Sequence, residues 1–135
     1  MKYLLDTHLI LWTVGKSANV PQKVKDIITN KDNTTYYSII SMWEVAIKRI
    51  THPDKITTFT PKELADFCRD AGIYELPLRM EHVCTLETLT HSEDAPPHKD
   101  PFDRILISQA KSEGMTFLTH DDLLPYYNEP CILYV

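Results

Sequence analysis

Strand-like and helix-like segments alternate along this chain from one end to the other, and several of the apolar runs break off at an acid. Tyr3-Leu4-Leu5 meets Asp6-Thr7 and gives way to His8-Leu9-Ile10-Leu11-Trp12, which reads as strand, acid, helix. Residues 21–30 put Val24, Ile27 and Ile28 on one side of a helix that Pro21 opens, and residues 34–38 have the β-branched and aromatic content of a second strand. Ser41-Met42-Trp43-Glu44 then opens a helix that runs through Arg49, with Ser41 and Glu44 spaced as a capping box. A helix over residues 61–71 is closed by Gly72, a third strand covers 73–76, and a further helix spans 80–89. The polar, proline-broken stretch 90–99 is a loop. A helix over 100–113 ends at Gly114, a fourth strand over 115–119 meets Asp121 and Asp122, and residues 131–135 make a last strand. This alternation predicts an α/β fold, a three-layer α/β/α sandwich with a central parallel sheet of four or five strands.

Composition narrows the function. With 135 residues and 43% hydrophobic content, residues 1–135 suffice for one domain with a real core. No apolar run reaches the length of a membrane span and no signal-peptide pattern opens the chain, so a cytoplasmic protein with no membrane partner is expected. Cys68, Cys84 and Cys131 are odd in number, far apart and outside any C-x-x-C, which reads as three reduced thiols in the core. A net charge of −5 without a Lys/Arg cluster is unpromising for nucleic-acid binding, except where the carboxylates are gathered around divalent cations. Glycine is too scarce for a dinucleotide or phosphate-binding loop.

The stretch His98-Lys99-Asp100-Pro101-Phe102-Asp103-Arg104 sets two acids at the start of a buried helix, with Pro101 at its first position. Asp100 as N-cap and Asp103 as the third-position acid of a capping box is the simplest reading, and Glu44 has the same one. Together with Asp6 and Asp121, which follow strands, these acids share one property. In a parallel sandwich the carboxyl ends of strands and the amino ends of the following helices lie on one edge, so Asp6, Glu44, Asp100 or Asp103, and Asp121 can converge. Clustered like charges need a compensating cation, and hard oxygen ligands favour Mg²⁺ (or Mn²⁺) over zinc. The chemistry implied is hydrolysis of a phosphodiester.

His8, His82, His91, His98 and His120 lack metal-motif spacing and read as surface residues or as supports of ligands, with His98 and His120 adjoining the proposed ligands. Trp12 and Trp43 read as packing in a core or subunit interface, the alternative being base stacking. Arg104 suits either a phosphate or a neighbouring acid.

Four stretches resemble the PIN-domain ribonucleases, in particular the VapC-type toxins of bacterial toxin–antitoxin pairs. Leu4-Leu5-Asp6-Thr7-His8 is similar to that family's opening strand and first acid, and Ser41-Met42-Trp43-Glu44-Val45 to its second. His98 to Arg104, with Ala110, is similar to the third motif and Leu118-Thr119-His120-Asp121 to the fourth, in the right order across nearly the whole chain. The resemblance implies a metal-dependent RNA endonuclease using Mg²⁺ or Mn²⁺, a homodimer, and a small cognate antitoxin protein as inhibitor. It carries the acidic quartet onto Asp6, Glu44, Asp103 and Asp121, with Asp103 preferred because it directly precedes the run ending in Ala110; Asp100 becomes cap or auxiliary acid. The doubled Asp121-Asp122 leaves the fourth position open by one residue, and Thr7, Thr119 and Arg104 are auxiliary candidates.

Three rivals remain. A phosphatase of the haloacid dehalogenase type needs a second Asp two residues after the first, and position 8 is His. A non-catalytic PIN-like or receiver-like binding module would bind no metal tightly and cleave no RNA. A housekeeping RNA-processing nuclease would lack an antitoxin reading frame directly upstream.

Overall fold

A computed structural model describes residues 1–54, 59–98 and 100–135; Lys99, at the end of the expected loop, lies outside them. The elements run β1 (Lys2–Leu5), α1 (Thr7–Val14), α2 (Gln22–Thr29), β2 (Thr34–Ser38), α3 (Ile39–Thr51), α4 (Pro61–Asp70), β3 (Tyr74–Leu76), α5 (Met80–Leu86), α6 (Pro101–Glu113), β4 (Thr116–Thr119), a 3-10 turn (Leu124–Tyr126) and β5 (Ile132–Tyr134). All strand pairs are parallel, in the order β3-β2-β1-β4-β5.

Both faces of the sheet are covered, so its central strands are apolar on both sides. Tyr3 and Leu5 of β1 and Leu118 of β4 face one core, built with Leu9, Ile10, Val24, Val45 and Leu64 from the helices. Leu4 of β1 and Phe117 of β4 face the other, closed by Leu106, Ile107 and Ala110 of α6 and by Leu124. Alternate residues of one strand thus feed opposite cores, the period-2 geometry of extended chain. The result is the three-layer α/β/α sandwich, with five strands among the described residues. Among the described residues no helix is long and apolar enough to cross a membrane.

Helix ends are set locally. Thr60 and Glu63 exchange a reciprocal capping box at α4, and Gly114 closes α6 with φ of 67°, the left-handed conformation that glycine adopts without strain. The helix carrying Glu44 departs from expectation. Its N-cap is Ser38, whose hydroxyl accepts from the Ile40 N–H, so Ser41 and Glu44 lie inside α3 rather than forming a capping box. The strand runs directly into the helix, because Ser38 is extended and satisfies the first turn itself. A second departure concerns the thiols: Cys68 is buried, but Cys84 on α5 is exposed and Cys131 half-buried. Trp43 is 56% exposed on α3 and packs edge-on to Phe102, outside the core, which leaves the subunit-interface half of its reading open.

Candidate functional site

The sheet changes direction of winding between β1 and β4: the chain leaves β1 toward β2 on one side and returns to β4 on the other. At such a switch point the loops after the two strands diverge and leave a crevice. Register pairs Leu5 with Leu118, so the residues that follow, Asp6 and Thr119-His120-Asp121, emerge at the crevice together.

Asp6 is the N-cap of α1 and almost fully enclosed. Its Oδ1 accepts from the Leu9 N–H at 2.8 Å, while Oδ2 accepts from the Thr119 hydroxyl at 2.6 Å and the His120 N–H at 3.1 Å. Burial pushes its carboxyl up from the ordinary aspartate value in spite of these donors. Glu44 comes in from α3. The Thr7 hydroxyl donates to its Oε1 at 2.7 Å and lies 2.9 Å from the Ser41 hydroxyl; the Lys48 ammonium, one turn on, holds Oε2 at 2.6 Å. Burial opposes the Lys48 charge, but the Glu44 bond and the negative charge of Glu44, Asp100 and Asp103 outweigh it and raise the ammonium pKa.

The two acids of the α6 entrance separate. Asp100 is the N-cap, its Oδ1 accepting from the Phe102 N–H at 2.9 Å, with Pro101 filling the first helical position. Asp103 turns inward to the His98 imidazole, 3.2 Å from Oδ2 to Nε2. Burial first, then the neighbouring charges of Asp100, Glu44, Asp121 and Asp6, push the Asp103 carboxyl up to about 8. Behind it stands a hydrogen-bonded chain. Arg104 gives Nε–H to the Tyr127 oxygen at 3.2 Å, and that hydroxyl lies 2.9 Å from His98 Nδ1. The chain fixes the orientation of the imidazole that meets Asp103. Burial lowers the His98 pKa despite Asp121 and Asp100 nearby. Arg104 also donates to the His98 carbonyl at 2.9 Å. It thus holds the loop rather than an acid, correcting one half of its sequence reading; its partners Tyr127 and His98 arrive from segments that no local pattern links to it.

Asp121 accepts the Leu123 N–H on Oδ1 at 2.9 Å, and its own N–H is fixed to the Thr119 hydroxyl at 3.0 Å. Asp6, Glu44, Asp103 and Asp121 line one cavity of about 70 Å³, together with Asp100, Thr7, His8 and Lys48. Asp122 is absent from its lining. Ligand atoms of His98, Asp103 and Asp121 all lie within 4.8 Å of one another. The donor set is carboxylate oxygens with one imidazole, and the acids around Asp103 outnumber the described cation, Lys48; a hard divalent ion fits it.

Residue pattern alone missed two contributors. Lys48 was visible as an i, i+4 partner of Glu44. Nothing local marks Tyr127, whereas His98, expected beside the ligands, does meet Asp103. His82, read with the surface histidines, is fully buried between α5 and α6, where its Nε2 meets Glu113 at 2.8 Å. Beside the acids, Thr7, His8, Lys48 and Asp100 also edge a wider groove of about 620 Å³ bounded by Leu11, Val45 and Phe102.

The fold recurs in solved structures of low sequence identity. VapBC2 from Rickettsia felis, solved bound to a DNA fragment from its promoter, superposes with a TM-score of 0.68 at 14% identity, over 100% of this chain and 99% of that one. DNA-bound VapBC from Salmonella typhimurium gives 0.65 at 14% identity over 99% and 98% of the two chains. VapBC-5 from Mycobacterium tuberculosis gives 0.58 at 12% identity over 99% and 97%. No curated protein matches by sequence. Residues 3–129 match the family model for the PIN domain, and the chain belongs to that family.

Proposed function

We propose that this PIN domain is a divalent-metal-dependent endoribonuclease, a hydrolase of RNA phosphodiester bonds that acts as the VapC-type toxin of a toxin–antitoxin pair. The observation that carries the reading is the gathering of Asp6, Glu44, Asp103 and Asp121 around one small cavity at the sheet's switch point, with Asp103 surrounded by like charge. Such an arrangement is costly for a fold that binds no cation there. Asp6, Glu44, Asp103 and Asp121 would hold Mg²⁺ or Mn²⁺. A cation so bound lowers the pKa of a water and offsets negative charge on the phosphate.

The chain's own groups do the positioning. Thr119 and the His120 N–H aim Asp6, Thr7 aims Glu44, and the Arg104-Tyr127-His98 chain aims Asp103. Both threonine hydroxyls are engaged with carboxylates, so they orient ligands. The structural neighbours, solved as VapBC assemblies, support an antitoxin partner. An exposed apolar row on α3, Ile39, Trp43, Ile47 and Ile50, supports burial against another chain, as in a homodimer.

The test is Mn²⁺-dependent cleavage of a structured RNA by the wild type, Asp103→Asn and Asp100→Asn at matched folding. The reading expects Asp103→Asn to lose activity and Asp100→Asn to keep most of it. Undiminished cleavage by Asp103→Asn overturns the assignment, and loss in Asp100→Asn alone moves the ligand to that residue. Addition of the cognate antitoxin is expected to suppress the wild-type reaction.

A further inference from the structure

A second cleft, of about 410 Å³, opens beside the acids on the β4–β5 side, within the size range of small-ligand sites. It is lined by His8, Trp12, His120, Asp121, Asp122 and Tyr134, so His8 and Asp121 belong to both this cleft and the acid cavity. Three of its rings form one ordered group. His120 and Tyr134 stack with centroids 5.3 Å apart and planes 17° from parallel, and Trp12 meets His120 edge-on at 5.4 Å.

The rings are held from behind. The His120 ring is fixed because its Nδ1 donates to the Val135 carbonyl, while the Val135 N–H donates to the Thr119 carbonyl at 2.9 Å. The same His120 gives its backbone N–H to Asp6. His120 therefore joins the aromatic group to the acid site. Tyr134 nevertheless stays 46% exposed, and the exposed Asp122 carboxylate has no hydrogen-bond or ion-pair partner among the described residues.

We infer that this cleft is a base subsite: an unpaired base next to the scissile phosphate stacks on the Trp12-His120-Tyr134 group, and Asp122 accepts hydrogen bonds from its edge. Stacking suits an acidic surface, because it takes the neutral face of a base and makes no demand on phosphate neutralisation. An ionised carboxylate only accepts, so it favours bases that present N–H donors, guanine first with two side by side. The assignment rests on the ribonuclease reading for its location relative to the phosphate, but base binding is measured without cleavage.

The experiment titrates the full chain, carrying Trp43→Phe so that Trp12 is its tryptophan reporter, with the four nucleoside 5′-monophosphates in EDTA. Saturable quenching that favours GMP is expected, with affinity falling roughly tenfold in Tyr134→Leu, which keeps apolar packing but removes the aromatic face. Asp122→Asn is expected to erase the preference for GMP while retaining the quench. Equal response to ribose 5-phosphate, an unchanged affinity in Tyr134→Leu, or no preference in the parent protein overturns the subsite. Emission that answers to the antitoxin protein and to no nucleotide also overturns it, assigning the face to protein docking. Base binding in a protein that cleaves no RNA would fail the nuclease reading alone; a base-blind cleft on an active nuclease would fail the subsite alone.

Discussion

Asp103 and Glu129 are both carboxylates taken largely out of water, and the fold treats them in opposite ways. Glu129 is enclosed by donors: its Oε1 receives the Lys111 ammonium at 2.8 Å, and its Oε2 receives the Thr90 N–H and hydroxyl at 2.8 and 2.9 Å. Burial alone would raise its pKa, but these donors outweigh it and hold the carboxyl below the ordinary glutamate value. Asp103 has the His98 imidazole as hydrogen-bond partner and four acids as charged neighbours, and its carboxyl rises to about 8. Burial pushes both carboxyls up and is the largest single influence on each; around Asp103 the neighbouring acids add to it. The difference is what faces the charge: an acid that clips a loop to a helix is closed by donors, whereas an acid placed for an incoming cation is left open.

That contrast can be broken by mutation. The largest effect is expected from Asp103→Asn, which should reduce Mn²⁺-dependent RNA cleavage by roughly a hundredfold or more, the scale of losing a directly placed electrostatic group. The same substitution should raise the melting temperature of the metal-free protein, since it removes an acid that repels its neighbours. A fall in both quantities would mean that Asp103 is structural like Glu129.

Next comes pH. Asp103 has a folded pKa raised from 3.8 to about 8, so its contribution to stability is complete below about pH 4 and is lost as pH rises through 8. In EDTA, urea unfolding should therefore report declining stability between pH 5 and 8.5, by an amount on the order of a few kcal/mol at 1.36 kcal/mol per unit. The Asp6 shift acts in the same direction, while the lowered His98 pKa acts in the opposite one. Subtraction of the Asp103→Asn profile isolates the Asp103 part; parallel profiles would contradict it. Saturating Mn²⁺ should flatten the wild-type slope.

Glu129→Gln should do the reverse of Asp103→Asn. It weakens the clip that joins the loop before α6 to Lys111, and should destabilise by roughly 1–3 kcal/mol in urea unfolding while leaving cleavage per folded molecule unchanged. The Glu129 contribution is present above about pH 4.5 and lost as pH falls through its lowered folded value, the mirror of Asp103. Loss of cleavage by the folded variant would break the comparison. The smallest effect is expected at Lys48, a cation among the acids. Lys48→Met should tighten Mn²⁺ binding by roughly two- to fivefold in calorimetry, the scale of a partly exposed ion pair. Weaker binding would instead give Lys48 a supporting role toward the metal site.

Local order read correctly wherever a single element decides it. The alternation of strands and helices, Asp100 followed by Pro101 at the α6 entrance and Gly114 at its end depend on contacts one turn long, and these are written in neighbouring residues. The same local rule misread Glu44, because the S-x-x-E spacing was present while Ser38 had already capped the helix. It misplaced Cys84 as well, since an apolar residue on a helix does not announce which side meets the core.

What the sequence by itself determined is therefore the α/β alternation and the set of acids available at one edge. Tertiary structure decided their roles. Thr119 reaches Asp6 across 113 positions, Tyr127 reaches His98 across 29, and Thr7 reaches Glu44 across 37. Asp121 rather than Asp122 enters the cavity for the same kind of reason, the trajectory of a turn fixed by its hydrogen bonds. Whether a carboxylate is a cap, a clip or a candidate ligand depends on the charges and donors around it, and those come from segments that only the folded chain brings together.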